Sequence, residues 1–103
     1  MNKTLQSPAA TAEMTAECGT TWLLQYSVAT YKRPSGAVLF GVRVDKLEQN
    51  GRLTESMETG IITDNHSRAL EAIEYVAKGT VPPCTLVEIV DDWLYTTGSF
   101  KTA

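Results

Sequence analysis

The stretch from Asp64 to Tyr95 constrains the fold most, because it contains two amphipathic segments separated by a helix-breaking linker. The linker reads Gly79-Thr80-Val81-Pro82-Pro83, in which the glycine suits a helix C-terminus and the prolines prevent the helix from continuing. Apolar residues on both sides of the linker recur at spacings of three and four, which is typical of helices with one buried face. The sequence therefore predicts two helices that require an apolar surface to pack against.

Each predicted helix has a recognisable start and a definable buried face. Asp64 or Asn65 can accept hydrogen bonds from the free amides of the first helix, and Thr85 with Glu88 forms a capping box for the second. The apolar stripe of the first helix comprises Leu70, Ile73, Val76 and Ala77. The stripe of the second comprises Leu86, Ile89, Val90 and Trp93, widened by Val87 and Leu94.

The segment before the helices alternates apolar and polar side chains with the period of two that is expected of β-strands. A first strand begins at Trp22, a second contains Val38 to Val44, and a third spans residues 52–62. The first predicted turn is Arg33-Pro34-Ser35-Gly36, in which proline presets its backbone angle and glycine tolerates a positive one. Asn50-Gly51 is a strong hairpin signal between the second and third strands.

Matching the apolar faces of neighbouring strands sets the register of both hairpins. A three-residue loop, Pro34-Ser35-Gly36, is required in the first, because a one-residue slip would turn a whole strand over. This loop places Val28 opposite Val42 and Tyr26 opposite Val44. A two-residue loop at Asn50-Gly51 places Val44 opposite Met57, Phe40 opposite Ile61 and Arg43 opposite Glu58.

These patterns predict an α+β fold, in which a three-stranded antiparallel meander of order 1-2-3 is packed on one face by two C-terminal helices. Residues 22–97 form this single domain, a size that supports one modest core. Residues 1–21 hold almost no large apolar side chains, which predicts a flexible N-terminal arm. Residues 98–103 are expected to form a C-terminal tail.

The C-terminal pattern resembles a family of small uncharacterised Firmicutes proteins that contain a domain of unknown function. The run that carries the resemblance is Val81-Pro82-Pro83-Cys84-Thr85-Leu86-Val87-Glu88-Ile89-Val90-Asp91-Asp92-Trp93-Leu94, a proline-containing turn followed by a capped helix. With the hairpin and acidic helix before it, the resemblance covers residues 26–94. It implies the fold and a bacterial source but no activity. The family often has a histidine near the position of Thr85, so no role of that histidine transfers to this chain.

Composition and charge argue against some classes of partner. The chain has a net charge of −3 and its nine basic residues form no cluster, which argues against nucleic-acid binding because phosphate neutralisation dominates that interaction. No apolar run approaches the length of a membrane span, so no membrane association is expected. Cys18 and Cys84 are expected to be free thiols of a reducing compartment. Together these features predict a cytoplasmic protein.

The residues with catalytic potential are few. His66, the only histidine, lies near Asp64, but two such side chains fall short of the three or four ligands of a zinc site. Cys84 precedes the second helix, a position that favours a reactive thiolate, so Cys84 with His66 could form a nucleophile and base. A packing role at the start of the helix explains Cys84 without chemistry. The prediction is therefore a chain without catalytic residues, metal or cofactor.

The predicted function is a non-enzymatic protein-binding or regulatory module of a bacterial cytoplasm. Its proposed contact residues are the acidic side chains of the two helices, Glu71, Glu74, Glu88, Asp91 and Asp92. The partner is an unknown protein, or a second copy that pairs through the uncovered edge of the first predicted strand. The alternatives are a small enzyme that uses Cys84 with His66, and a weak nucleic-acid binder that uses the hairpin tip at residues 31–34.

Overall fold

The structure is a computed structural model that describes residues 2–5 and 7–96. The predicted tail at residues 98–103 lies outside the described residues. Two α-helices, α1 and α2, follow five β-strands, β1 to β5, and a 3-10 turn precedes α2. The strands are Asn2–Leu5, Ala10–Thr15, Thr21–Lys32, Val38–Leu47 and Leu53–Glu58. The helices are His66–Lys78 and Leu86–Thr96, with the 3-10 turn at Pro83–Thr85.

The sheet is antiparallel in the order β1-β3-β4-β5, and β2 lies beside β1 along the same edge of β3. β1 pairs with the end of β3, where Leu5 lies opposite Ala29. β2 pairs with the beginning of β3, where Ala10 lies opposite Tyr26. The predicted α+β class with two helices on the sheet is confirmed, whereas the prediction of only three strands is wrong.

The additional strands come from the segment predicted to be a flexible arm. In β2, Ala10, Ala12 and Met14 turn inward against the core, and Thr11, Glu13 and Thr15 are exposed. The inward side chains are small, so the alternation is hard to recognise from hydrophobicity. The twelve-residue β3 supplies backbone partners along its whole length, and α1 packs beside β2. The prediction of a flexible arm is therefore wrong for residues 2–5 and 10–15.

The first hairpin has the predicted register. Val28 lies opposite Val42 and Tyr26 opposite Val44, and the amide of Arg33 donates to the carbonyl of Ala37 at 2.9 Å. Gly36 closes the three-residue loop with a φ of 92°. Leu24 and the four residues of these two pairs are fully buried, so one face of β3 and β4 forms the floor of the core.

The second hairpin has the predicted strand register but a different turn. Arg43 lies opposite Glu58 and Val44 opposite Met57, as the alternation predicts. The amide of Glu48 donates to the carbonyl of Arg52 at 2.8 Å, so three residues, not two, form the loop. A register shift between Lys46 and Leu47, which leaves Thr54 of β5 without an opposing residue, compensates for the added loop residue. The two one-residue deviations cancel, because the apolar faces must still coincide.

Beyond β5 the chain leaves the predicted path. Phe40 pairs with Thr63 and not with Ile61, because the backbone bends at Gly60, which has a φ of 76°. Ile61 and Met57 are exposed, whereas Ile62 packs against the core. The prediction that Met57 and Ile61 are buried is therefore wrong.

The two helices cover the apolar face of the sheet. The side chain of Asn65 caps α1 by accepting hydrogen bonds from the amides of Ser67 and Arg68 at 2.9 and 3.3 Å. α2 begins at Leu86, as its predicted capping box indicates.

The buried faces consist of Ala69, Ala72, Ile73 and Val76 in α1, and of Leu86, Val90, Trp93 and Leu94 in α2. Leu70 is exposed, so the predicted stripe of α1 is wrong by about one residue position. Predicted stripe member Val87 is also exposed.

Candidate protein-binding edge

β5 is an exposed edge strand of the sheet. Five of its six residues are exposed, including Leu53 at 50% and Met57 at 40%. Within residues 2–5 and 7–96, its only strand neighbour is β4. The edge predicted to be open, that of the strand starting near Trp22, is covered by β1 and β2 along most of its length. The prediction that the first predicted strand has an uncovered edge is therefore wrong, and the open edge is that of β5.

The pairing with β4 determines which backbone groups of β5 point outward. The amide of Thr59 donates to the carbonyl of Val42 at 2.9 Å. Because hydrogen-bonded positions alternate along an antiparallel pair, Met57 also directs its backbone groups toward β4. Ser56 and Glu58 direct theirs away from the sheet. These two residues offer amide donors and carbonyl acceptors to an added strand.

The beginning of β5 is less regular than its end. The bulge near Leu47 shifts the pairing of Leu53, and the hydroxyl of Thr54 donates to the carbonyl of Lys46 at 3.0 Å. Bulges increase local twist and interrupt the ladder, which makes that part of an edge a poor template. The regular template is therefore residues 55–58.

Both carboxylates of β5 have cationic partners on other strands of the sheet. Lys46 Nζ lies 3.4 Å from a carboxylate oxygen of Glu55. Glu58 lies 2.8 Å from Lys3 Nζ and 3.9 Å from Arg43 Nη1. The Lys3–Glu58 pair joins the first strand of the sheet to the last. These partners offset the negative charge that would otherwise repel an acidic strand.

Glu58 belongs to a polar cluster on the sheet face opposite the helices, formed by Lys3, Tyr31, Arg43, Asp45 and Glu58. Arg43 Nε donates to Asp45 at 2.9 Å. Burial raises the pKa of Tyr31, the Glu58 carboxylate raises it further, and Lys3 acts in the opposite direction. The cluster orients Glu58 at the end of the open edge.

The predicted acidic contact residues are distributed over both helices. All five are exposed. Glu71 and Glu74 line a shallow cleft of about 380 Å³ together with Arg68, Lys78, Tyr75 and Trp93. Arg68 pairs with Glu71 at 2.6 Å and its guanidinium lies 5.0 Å from the Trp93 ring centre. Glu88, Asp91 and Asp92 do not line this cleft. The cleft is therefore of mixed charge.

The proposed nucleophile and base are on different elements. Cys84 is an exposed, free thiol within the 3-10 turn. His66 is the first residue of α1 and packs edge-on against Phe40, with ring centres 5.2 Å apart. Across the described part of the chain, no hydrogen bond joins the two side chains, and no three His, Cys, Asp or Glu side chains are grouped to hold a metal. The geometry therefore offers no support for the Cys84–His66 alternative.

The thiol with an altered environment is Cys18, which no sequence motif marks as reactive. Its Sγ lies 3.3 Å from the hydroxyl oxygen of Thr20. Hydrogen bonds from the side chain and backbone of Thr20 lower the pKa of the Cys18 thiol. The sequence Cys18-Gly19-Thr20 could have indicated this thiol, but only the turn geometry brings the Cys18 and Thr20 side chains together.

A second cleft, which the sequence does not predict, lies at the end of the sheet that carries the β4–β5 loop. Its volume is about 400 Å³, and residues from β2, β3, β4 and the β4–β5 loop line it, among them Glu13, Trp22, Gln25 and Glu48. Lys46 Nζ lies 4.3 Å from the centre of the Trp22 ring. Glu13 lines the cleft because residues 10–15 form β2, so the expectation of a flexible N-terminal arm does not place this residue there.

The amino-acid sequence was compared with protein families, curated proteins and solved structures, and one family model matches it. A family model described as "Family of unknown function (DUF6514)" matches residues 6–96. The matched range contains β2 and every later described element. No curated protein and no solved structure matches the chain. Among the described helices, none has the length and apolarity required to cross a membrane.

Proposed function

We propose that this chain, which belongs to the DUF6514 family of unknown function, is a non-enzymatic protein-binding module that pairs an extended partner segment with β5. The observation that carries the proposal is the open edge, where Ser56 and Glu58 direct their backbone groups away from β4. In β-augmentation, such backbone groups supply the hydrogen bonds and the alternating side chains supply the specificity.

The side chains of β5 differ on the two faces of the sheet, so they can discriminate between partner segments. Met57 is exposed on the face that carries the helices, and α2 with its exposed Val87 packs beside β5. Ser56 and Glu58 lie on the opposite face, next to the basic side chains of Lys3 and Arg43. A matching segment would alternate an apolar side chain, facing Met57, with polar side chains.

The remaining parts of the proposal concern location and secondary contacts. Cys18 and Cys84 are both exposed and free, which supports a reducing compartment such as a bacterial cytoplasm. Glu71, Glu74, Glu88, Asp91 and Asp92 are proposed as further contact residues on the helices, outside the strand-pairing edge. The mixed charge of the cleft near Trp93 favours a partner surface that is itself of mixed charge.

A peptide-display selection tests the binding mode even though the natural partner is unidentified. Peptides selected on the unmodified protein should slow hydrogen exchange at the amides of Ser56 and Glu58. Ser56→Pro should abolish their binding, because proline removes an outward-facing donor while the pairing with β4 is preserved. Ser56→Ala is the matched control, since it changes the side chain but keeps the amide, and it should bind normally.

Circular dichroism must show that Ser56→Pro remains folded, because an unfolded variant would lose peptide binding for a reason unrelated to the Ser56 amide. Met57→Pro provides a reference for a damaged strand, because its amide faces β4 and its loss should destabilise the fold. Peptides that bind Ser56→Pro as tightly as the unmodified protein would contradict the proposed binding mode.

A further inference from the structure

We infer that β5 binds the β5 strand of a second copy of this chain, antiparallel and about a two-fold axis at Met57. The inference rests on the proposed function, because it names the partner of the same edge. A symmetric dimer uses the same surface on both subunits, so β5 must be complementary to itself. The backbone pattern and the charges of β5 can be tested against that requirement.

Backbone geometry leaves a small set of two-fold arrangements. Ser56 and Glu58 point outward, so each must lie opposite an outward-pointing, even-numbered residue of the other copy for hydrogen bonds to form, which requires the two-fold axis to pass through a residue. Within residues 55–58, the axis then falls on Glu55, Ser56, Met57 or Glu58. An axis at Glu55 or at Glu58 places that carboxylate directly opposite its own copy, which is destabilising. Two arrangements remain.

The irregular start of β5 decides between the axes at Ser56 and Met57. An axis at Ser56 pairs Glu58 with Thr54, which lies beside the bulge and whose hydroxyl is engaged by Lys46. An axis at Met57 pairs Ser56 with Glu58 on both sides and uses only the regular part of the strand. Each Ser56–Glu58 pair can exchange two backbone hydrogen bonds. The Ser56 hydroxyl can also donate to the Glu58 carboxylate, because directly opposite side chains share one face of the sheet.

The axis at Met57 also covers the most exposed apolar side chain on the helix-side face of the regular strand. Met57 is 40% exposed in the isolated chain. Its backbone groups face β4, so the two Met57 residues would form a pair without backbone hydrogen bonds between them. In such pairs the Cα atoms lie about 4.5 Å apart and the side chains are close together. Pairing of β5 therefore buries apolar surface that the single copy leaves in water.

The charge distribution permits this arrangement. Glu55 is paired with Lys46, and Glu58 with Lys3 and Arg43, so each carboxylate enters the interface with its own cationic partner. Glu55 lies opposite Thr59 of the other copy, a neutral residue. The self-complementary strand therefore brings no carboxylate directly against another.

Disulfide trapping tests the axis directly. In a background with Cys18→Ser and Cys84→Ser, which removes both exposed native thiols, Met57→Cys should convert most of the chain into a disulfide-linked dimer under mild oxidation. The expected Cα separation of about 4.5 Å lies within the range that a disulfide spans. Ser56→Cys is the matched control and should remain largely monomeric, because an axis at Met57 sets the two Ser56 residues apart along the strands.

Sedimentation of the unmodified chain provides an independent measurement. The apparent mass should rise toward twice that of the monomer with increasing concentration, and Ser56→Pro should remain monomeric. Efficient trapping of Ser56→Cys but not of Met57→Cys would overturn the Met57 axis. A strict monomer at every concentration would overturn the second copy as partner. If the chain is a strict monomer but selected peptides still require the Ser56 amide, the proposed function is supported and only the dimer is contradicted. If no such peptides are found, both the proposed function and the dimer are contradicted.

Discussion

The hydroxyl of Tyr26 donates a hydrogen bond to the carbonyl oxygen of Val81 at 2.9 Å. Tyr26 is fully buried in the centre of β3, and Val81 lies in the linker between the two helices. The amide of Val81 in turn donates to the carbonyl of Val76 near the end of α1 at 3.0 Å. The linker is therefore attached both to the sheet and to the first helix, which fixes where α2 begins.

Replacement of Tyr26 by phenylalanine should destabilise the protein by about 1–3 kcal/mol, because the Val81 carbonyl is left buried without this donor. Urea denaturation monitored by circular dichroism measures the loss. Tyr95→Phe is the matched control, since Tyr95 is 79% exposed, and it should change the free energy of unfolding little. Equal stabilities of the two variants would contradict the role of the hydrogen bond.

Burial raises the pKa of Tyr26 to about 12, which makes stability depend on alkaline pH. The unfolded chain loses the phenol proton near pH 10, whereas the folded chain retains it up to about pH 12. The contribution of Tyr26 is therefore complete below pH 10 and is lost as the pH rises through about 12. Unfolding free energies measured across this window should fall more steeply for the unmodified protein than for Tyr26→Phe. Parallel curves would show that other groups cause the decline.

Gly41 should not tolerate alanine. A Cβ atom at this position would overlap the carbonyl oxygen of Gly60, which belongs to the bend after β5. Relief of the overlap requires backbone movement, for which a cost of about 1–3 kcal/mol or more is expected. Gly79→Ala is the matched substitution, because the nearest atom to its Cβ is Val81 Cγ2 at 3.5 Å and its φ of −86° suits alanine. Thermal unfolding should show a much larger loss for Gly41→Ala.

A pair of substitutions in β2 should distinguish an ordered strand from a flexible arm. Ala12 packs against the core, whereas the neighbouring Thr11 is exposed. Ala12→Asp should cost about 2 kcal/mol or more, because it places an unpaired carboxylate beside apolar side chains. Thr11→Asp should remain within about 0.5 kcal/mol of the unmodified protein. Chemical denaturation of the two variants provides the measurement, and equal stabilities would indicate that residues 10–15 do not pair with β3.

Cys18 should react faster with iodoacetamide near neutral pH than the same thiol does in Thr20→Val. The hydrogen bonds from Thr20 lower the pKa of Cys18, so a larger fraction of this thiol is ionised. Alkylation rates as a function of pH, measured in Cys84→Ser, report the ionisation of Cys18 alone. Thr20→Val removes the hydroxyl and should move the rate profile toward higher pH. An unchanged profile in Thr20→Val would contradict the assigned cause.

The hairpin registers are predictable because they follow from side-chain alternation. Val28 lies opposite Val42 and Arg43 opposite Glu58, since any other register would bury polar side chains. The turn at Asn50-Gly51 is not predictable in detail, because a longer loop and a bulge together produce the same register. The prediction for Leu70 is wrong because the buried face of α1 contains the smaller Ala69 and Ala72, which allow close approach to the sheet.

The candidate site is less predictable than the core. The sequence indicates edge pairing, but on the strand that contains Tyr26 and not on β5. The edge of β3 is covered by β2, and the pattern that predicts β2 is the alternation of Ala10, Ala12 and Met14 with polar residues. This pattern is hard to recognise because the alanine side chains are small. The clefts near Trp22 and Trp93 depend on neighbours that are distant in sequence.

The sequence by itself determined most of the side chains that enter the core, where the two helices begin and end, and how β3, β4 and β5 are aligned. These properties are local, since period, caps and turns act over a few residues. Only the tertiary structure decided which sheet edge remained open. Every strand presents the same backbone donors and acceptors along its edges. Whether an edge is covered therefore depends on whether another segment can pair with it and also bury its inward side chains. Residues 10–15 met that condition on β3 and residues 2–5 paired beside them, whereas among the described strands none met it on the outer edge of β5.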